Sequence, residues 1–305
     1  MKILTYRDLK SKDVLLPLMD QAFRWPFNPR RFEDLVRIDP RLKGSPVGFC
    51  AVENECVVGF VGVLDLATRT LDETVEYVGG LYGVATLPGH TRKGISTALM
   101  NSAHQYFKEK GYRFSFLNTS PTLIAYAFYK KLGYKDVIEY RSAYKVVEAK
   151  KAKPFGKKKT SKLDFDRILK IYDEFSKDKT GLVIRDKAHL KMLKKSEGIT
   201  SKQCIIGGKG YAIFKKDREG IWIRELVALD TKEMERLLSQ IEEKAKALVY
   251  DRAVLDGALL QVYKSRGYMI QERSHGVMMV KPLTADASFA VTYGDKFYIS
   301  DLDHF

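Results

Sequence analysis

No stretch of this chain is apolar for long enough to cross a bilayer, which takes about 18 or more consecutive apolar residues in a helix. The opening residues, Met1 to Lys10, turn polar after Leu4 and so lack the apolar heart of a signal peptide. Both absences predict a cytoplasmic protein. Cysteine is scarce: Cys50, Cys56 and Cys204 form an odd, scattered set, which excludes a disulfide framework. There is no Cys-x-x-Cys and no Cys/His cluster, so zinc is not expected. The histidines, His90, His104, His189, His275 and His304, are equally dispersed. The spacing predicts no metal site and no Cys/His nucleophile pair.

What is present is length and positive charge. A chain of 305 residues exceeds what one hydrophobic core usually serves, so two domains are expected. The formal charge of +15 attracts anions at long range. Two partners fit that field, nucleic acid and a phosphorylated cofactor; a lysine-rich surface of no specific use is the third reading.

The first half alternates strands and helices. Strands are expected at 2–6, 47–52, 56–66, 75–85 and 113–117, with one or two more over 134–147. Helices are expected at 15–23, 31–36, from about 91 to 110, and at 123–132. Gly79-Gly80 inside a strand marks a bulge or bend. Lys150–Lys162 carries seven lysines with Pro154 and Gly156, the composition of a linker or exposed loop. A basic patch for an acidic partner is the competing reading.

Beyond it, helices are expected at 163–175, 232–248 and 259–265. Strands are expected at 204–206, 211–215, 221–227, 249–254 and 276–280. A hairpin is expected around Gly294-Asp295. One repeat is visible: Tyr129-Lys-Lys-Leu-Gly-Tyr134 returns as Tyr263-Lys-Ser-Arg-Gly-Tyr268, each between a helix and a strand.

Chemistry concentrates in 84–100, where a strand ends, a basic glycine-containing loop follows and a helix begins. Helix N-termini expose unpaired N–H groups and the positive end of the helix dipole, and so bind phosphate. Gly94 lets the backbone approach a ligand, Arg92 and Lys93 add charge, and Ser96 and Ala98 are small. A pyrophosphate site competes here with a plain turn carrying incidental cations.

At this point the sequence resembles the GNAT superfamily of acetyltransferases. The family's phosphate loop, Arg/Gln-x-x-Gly-x-Gly/Ala, is matched by Thr91-Arg92-Lys93-Gly94-Ile95-Ser96, with Thr91 and Ser96 as departures. A second family motif, Ala-x-x-Phe-Tyr-x-x-x-Gly-Phe/Tyr, is matched by Ala125 to Tyr134. The Eis-type enzymes resemble it further: their Pro-x-His-Arg-Arg-Arg-Gly-Ile loop is similar to Pro88–Ile95, and they carry a second GNAT-like domain without a phosphate loop. The strand Ile223–Asp230 runs into a helix lacking glycine, as in that second domain. The resemblance covers roughly 1–282. Eis-type chains usually continue into a sterol-carrier-like third domain, where about 20 residues follow in this sequence.

The resemblance implies an α/β fold of α+β type with a mixed sheet and tandem GNAT-like domains, the second degenerate. The segments are a catalytic domain over 1–147, a linker over 148–162, the degenerate domain over 163–283, and a hairpin and tail over 284–305. It implies acetyl-CoA as cosubstrate, no metal, and direct transfer of acetyl to a primary amine: a small cationic amine, an aminoglycoside-like compound or a lysine. Val84, Ala85 and Thr86 pair with the pantetheine arm; Thr91, Arg92, Lys93, Gly94, Ile95 and Ser96 hold the pyrophosphate; Asn118 and Ser120 touch the arm. Tyr129 protonates the leaving thiolate, with a packed core tyrosine as the alternative.

Eis-type chains use their terminal carboxylate as a proposed base, which here is that of Phe305; a water relay competes with it. Asp301, Asp303 and the terminus place three negative charges in five residues, either to attract a cationic amine or as a frayed acidic end. Glu76, eight residues before Val84, is some 26 Å away along an extended strand and too distant to serve as base. Phe23, Trp25 and Phe27 either line the acceptor pocket or pack the core. The resemblance also points to a homo-oligomer, with no membrane partner. A non-catalytic acyl-CoA-binding or scaffold protein is the alternative function, and a nucleic-acid-associated protein a weaker one.

Overall fold

The computed structural model describes residues 1–24, 27–148, 163–217, 220–272 and 276–305. In chain order the elements are β1 (Lys2–Thr5), α1 (Leu16–Phe23), α2 (Pro29–Ile38), β2 (Gly48–Glu53), β3 (Cys56–Arg69), β4 (Val75–Thr86), α3 (Ile95–Glu109), β5 (Phe114–Thr119), α4 (Ile124–Lys131), β6 (Lys135–Glu139) and β7 (Arg141–Val146). Then come α5 (Phe165–Phe175), β8 (Thr180–Gly181), α6 (Lys187–Glu197), β9 (Cys204–Ile206), β10 (Gly210–Asp217), β11 (Gly220–Ala228), α7 (Thr231–Glu242), β12 (Leu248–Val254), α8 (Gly257–Ser265), β13 (Met269–Gln271), β14 (Val277–Pro282), α9 (Phe289–Tyr293) and β15 (Phe297–Tyr298). Among the described residues no helix is long and apolar enough to cross a membrane.

Two mixed sheets result. The first runs β1-β2-β3-β4-β5-β14-β6, with β8 and β15 attached beside β3; the second runs β13-β7-β12-β11-β10-β9. Two strands are exchanged. β14, late in the chain, sits between β5 and β6, and β7, from the first half, sits between β12 and β13. The expected segments 1–147 and 163–283 therefore each lend a strand to the other's sheet. The expected linker falls, except for Glu148, outside the described residues.

β3 reads as a nearly unbroken apolar run because both its faces are covered. On one face lie α3 and α4, with Leu81, Leu99, Phe107, Leu117 and Tyr129 in one core. On the other, Phe60, Leu66, Val78, Phe114 and Phe116 pack with Leu15 and Leu18 from the first helical segment. α7 and α8 cover one face of the second sheet, burying Leu237, Leu238, Ile241 and Tyr263.

Three expectations are corrected. The helix expected over 232–248 ends at Glu242, because Leu248 is already the first residue of a strand paired with β11. α6 escaped the sequence reading; Asp186 caps it through the His189 N–H, and Gly198 ends it in the left-handed region at φ 65°. The C-terminal hairpin is replaced by α9 and a two-residue strand. Phe289 and Tyr293, one helical turn apart, bring their rings to 5.1 Å and pack together against Phe116 and Phe297, which an extended strand could not do.

Candidate active site

β4 and β5 run parallel and pair at Gly79↔Ser115, Gly80↔Phe116 and Leu81↔Leu117, where their registered pairing ends. β4 continues to Thr86 against β3. In that continuation Phe60 faces Ala85 and Gly62 faces Tyr82, so Gly83 and Val84 on β4 stand opposite Val61 alone. This is a β-bulge, and Gly83 takes φ 58° within it. Beyond the bulge, Val84–Thr86 have no strand partner on the β5 side among the described residues, and the space between the two strand ends is a gap.

α3 begins at the far end of that gap. Its N-cap is Gly94 at φ 76°, and no side chain caps the first turn. A Cβ on Gly94 would meet nothing within 4 Å, so the space over the helix N-terminus is open. Arg92, at φ 61°, and Lys93 are exposed beside it. Ser96 does not merely leave room, as its size suggested: its Oγ lies 2.7 Å from Thr86 Oγ1 and ties the end of β4 to the helix. Ile95 is buried, so only its backbone faces the loop. Thr91 Oγ1 donates to the Pro88 carbonyl at 2.9 Å.

Tyr129 lies on α4, in the core on the α3 side of the sheet. It is 6% exposed, and burial pushes its phenol up to about 12. Among the described residues its hydroxyl has no hydrogen-bonding partner, while its ring meets Tyr134 at 6.0 Å.

A family model described as an acetyltransferase (GNAT) domain matches residues 5–137, the segment that holds this gap, loop and tyrosine. That segment, under half of the chain, is similar to a GNAT acetyltransferase domain. The fold likeness extends further. A GCN5-related N-acetyltransferase from Kribbella flavida shares 16% identity at TM-score 0.68, over 95% of this chain and 74% of that one. Eis1 from Mycobacterium abscessus shares 15% at TM-score 0.62, over 94% and 75%. A protein from Pyrococcus horikoshii shares 14% at TM-score 0.56, over 96% and 92%. No curated protein matches the chain in sequence.

GNAT domains use acetyl-CoA as cosubstrate, and the residues here fit it: an unpaired β4 edge, an uncapped helix N-terminus and open space above Gly94. Among the described residues no group of three His, Cys, Asp or Glu could hold a metal. Ser120, at the end of β5, is half-buried and its Oγ lies 2.7 Å from Thr122 Oγ1. Asn118 points to the face opposite Tyr129. Its Oδ1 accepts from the Tyr140 hydroxyl at 2.6 Å, and its Nδ2 is buried without a partner.

The C-terminal tail of the chain crosses this second face, and it is not frayed. Arg185 spans buried Glu225 and Asp303, at 2.7 and 2.6 Å. His189 Nε2 stands 2.8 Å from the other Asp303 oxygen. Burial alone would raise the Asp303 carboxyl, but Arg185 and His189 outweigh it and hold the group well below the usual range. Arg224 donates to Asp301 at 2.5 Å. Both aspartates expected to attract a cationic amine are thus already committed to arginines. The Phe305 ring comes to rest against Gly80, where a Cβ would lie 3.2 Å from it.

Phe23 and Phe27 pack against the core on this face, Phe27 with its ring 5.6 Å from Phe32. Trp25 lies outside the described residues. Glu76 is paired with Arg113 at 2.6 Å. Sequence reasoning missed Tyr140 and Arg252 and left His304 as an unremarked tail residue; no local spacing marks any of them, since they meet only through the strand exchange and the docked tail.

Proposed function

We propose that this protein transfers acetyl directly from acetyl-CoA to a primary amine. The single observation that carries the reading is the gap between β4 and β5. It opens after Leu81 and Leu117, ends at an uncapped α3 N-terminus, and has an unengaged tyrosine hydroxyl on its α3/α4 side. Arg92 to Ser96 hold the pyrophosphate through backbone N–H groups and charge, and Val84 to Thr86 pair with the pantetheine arm.

The amine nitrogen attacks the thioester carbonyl from the Asn118 face, forming the C–N bond. The tetrahedral intermediate collapses and the C–S bond breaks. Tyr129 gives its proton to the departing thiolate, and its burial keeps that proton in place until then. The amine's proton goes to the Phe305 α-carboxylate, whose ring is anchored beside Gly80.

The test is thiol release from acetyl-CoA against a panel of amines: an aminoglycoside, spermidine, a lysine peptide and small amines with and without a carboxylate. Saturable release with one class upholds transfer and names the acceptor. Acetyl-CoA binding with no release across the panel favours a binding protein instead.

A further inference from the structure

A cavity of about 190 Å³ lies on the acceptor face, lined by Asn118, Tyr140, Arg252, Asp301 and His304 among others. Its position relative to the gap is fixed by Asn118, one residue beyond the last β5 residue paired with β4. Its walls carry hydrogen-bonding capacity that the protein leaves unused. The Asn118 Nδ2 is buried and unpartnered, and so is the His304 Nε2. The His304 ring is held against Tyr140 with centroids 4.6 Å apart, and its Nδ1 faces an Asp301 oxygen at 3.5 Å. A carboxylate facing Nδ1 assigns the ring proton there and leaves Nε2 as a hydrogen-bond acceptor. Burial lowers the imidazole's pKa against the opposing pull of Asp301 and Asp303, which favours the neutral ring.

Charge at the cavity is one-sided. Asp301 is neutralised by Arg224. Arg252 is exposed and lies over the rings of Trp222 and Tyr250 at 4.6 and 4.9 Å. It has no carboxylate partner among the described residues. The cavity thus offers one spare acceptor, one spare buried donor and one unpaired guanidinium.

We propose that this cavity recognises the acceptor, and that the acceptor is a small amine bearing a carboxylate beside its amino group, of α-amino-acid type. The amine N–H donates to His304 Nε2, which orients the nitrogen's lone pair. The carboxylate accepts from Asn118 Nδ2 and Arg252. Among the described residues that line this cavity, the one side-chain carboxylate, Asp301, is already paired with Arg224, so a polycation gains no ion pair from its side chains. The proposal rests on the acetyltransferase reading, and its test separates the two.

Glycine, leucine and phenylalanine, their amides, and spermidine are titrated into the full chain by calorimetry, then compared as acceptors by kcat/KM. At least one amino acid binds about tenfold tighter than its own amide, the size of one charge-assisted hydrogen bond. Arg252→Gln brings the pair within about twofold and leaves the amide unchanged, and Arg252→Glu reverses the preference. Arg252 is exposed, and a thermal melt of each variant checks that losing its stacking on Trp222 and Tyr250 leaves the fold intact. The proposal is overturned if the amides or spermidine bind as well as the amino acids, if no amino acid binds, or if the Arg252 variants leave the ratio untouched. Selective amino-acid binding without thiol release upholds the cavity and sinks the transferase reading. Acetylation of spermidine without amino-acid binding does the reverse.

Discussion

Tyr129 and Tyr263 hold equivalent positions in the two repeats, but among the described residues only Tyr263 has its hydroxyl engaged: it donates to Asp251 at 2.9 Å. In both repeats the helix ends on a left-handed glycine, Gly133 at φ 88° and Gly267 at φ 76°. In both the following tyrosine, Tyr134 or Tyr268, bonds back from its N–H to the first tyrosine's carbonyl. One copy has spent its phenol on structure, and the other has kept it free.

Asp251 then gives a pH signature. Burial pushes its carboxyl up to about 7, with Ala253 and Tyr263 pulling the other way. The folded state thus holds this proton more tightly than the unfolded chain does. Stability from this group is full below about pH 4 and declines as pH rises towards 7, with a slope up to about 1.4 kcal/mol per pH unit. Denaturant melts across that range find the decline in the parent and not in Asp251→Asn.

Gly94→Ala weakens acetyl-CoA binding about tenfold or more, because the methyl enters the space assigned to the pyrophosphate and the left-handed backbone is strained by about 1–2 kcal/mol. Gly111→Ala is the control. Gly111 has the same φ of 76° and equally open surroundings, so it loses similar stability with no change in cofactor affinity measured by calorimetry.

Arg185→Ala leaves Glu225 and Asp303 buried without their shared cation and destabilises the chain by about 3–5 kcal/mol in thermal or denaturant melts. Because the Asp303 carboxyl is depressed in the fold, its contribution is present above the unfolded carboxylate's range. It disappears as pH falls below about 4. Parent and variant therefore converge in acid.

Adding two glycines after Phe305 moves the α-carboxylate off the residue whose ring rests against Gly80, while the anchors at Asp301 and Asp303 remain. Turnover falls about 100-fold with little change in melting temperature if that carboxylate takes the amine's proton. Unchanged turnover assigns the proton to water.

Much of the first half was legible in the sequence. Period-two and helical patterns located its strands and helices, and the 91–96 loop marked a helix N-terminus because glycine and cations have few other reasons to meet there. The strand exchange was not legible. β7 and β14 carry ordinary strand patterns that say nothing about which sheet receives them. The tail misled for a similar reason: the Phe289–Tyr293 stretch alternates like a strand, but an aromatic cluster drawn from β5 and β15 selects a helix. The cavity proposed for the acceptor, with Asn118, Tyr140, Arg252 and His304 spread over 187 sequence positions, exists only once the tail docks.

The most direct test of the account is Tyr129→Phe, measured for turnover of acetyl-CoA with its acceptor and for acetyl-CoA affinity on the same preparation. Removing a general acid lowers kcat by about 100-fold or more, and acetyl-CoA affinity stays within about twofold because the phenol is assigned to the leaving group and not to the cofactor's binding. Equal turnover in parent and variant would contradict the account and return Tyr129 to the core as a packing residue.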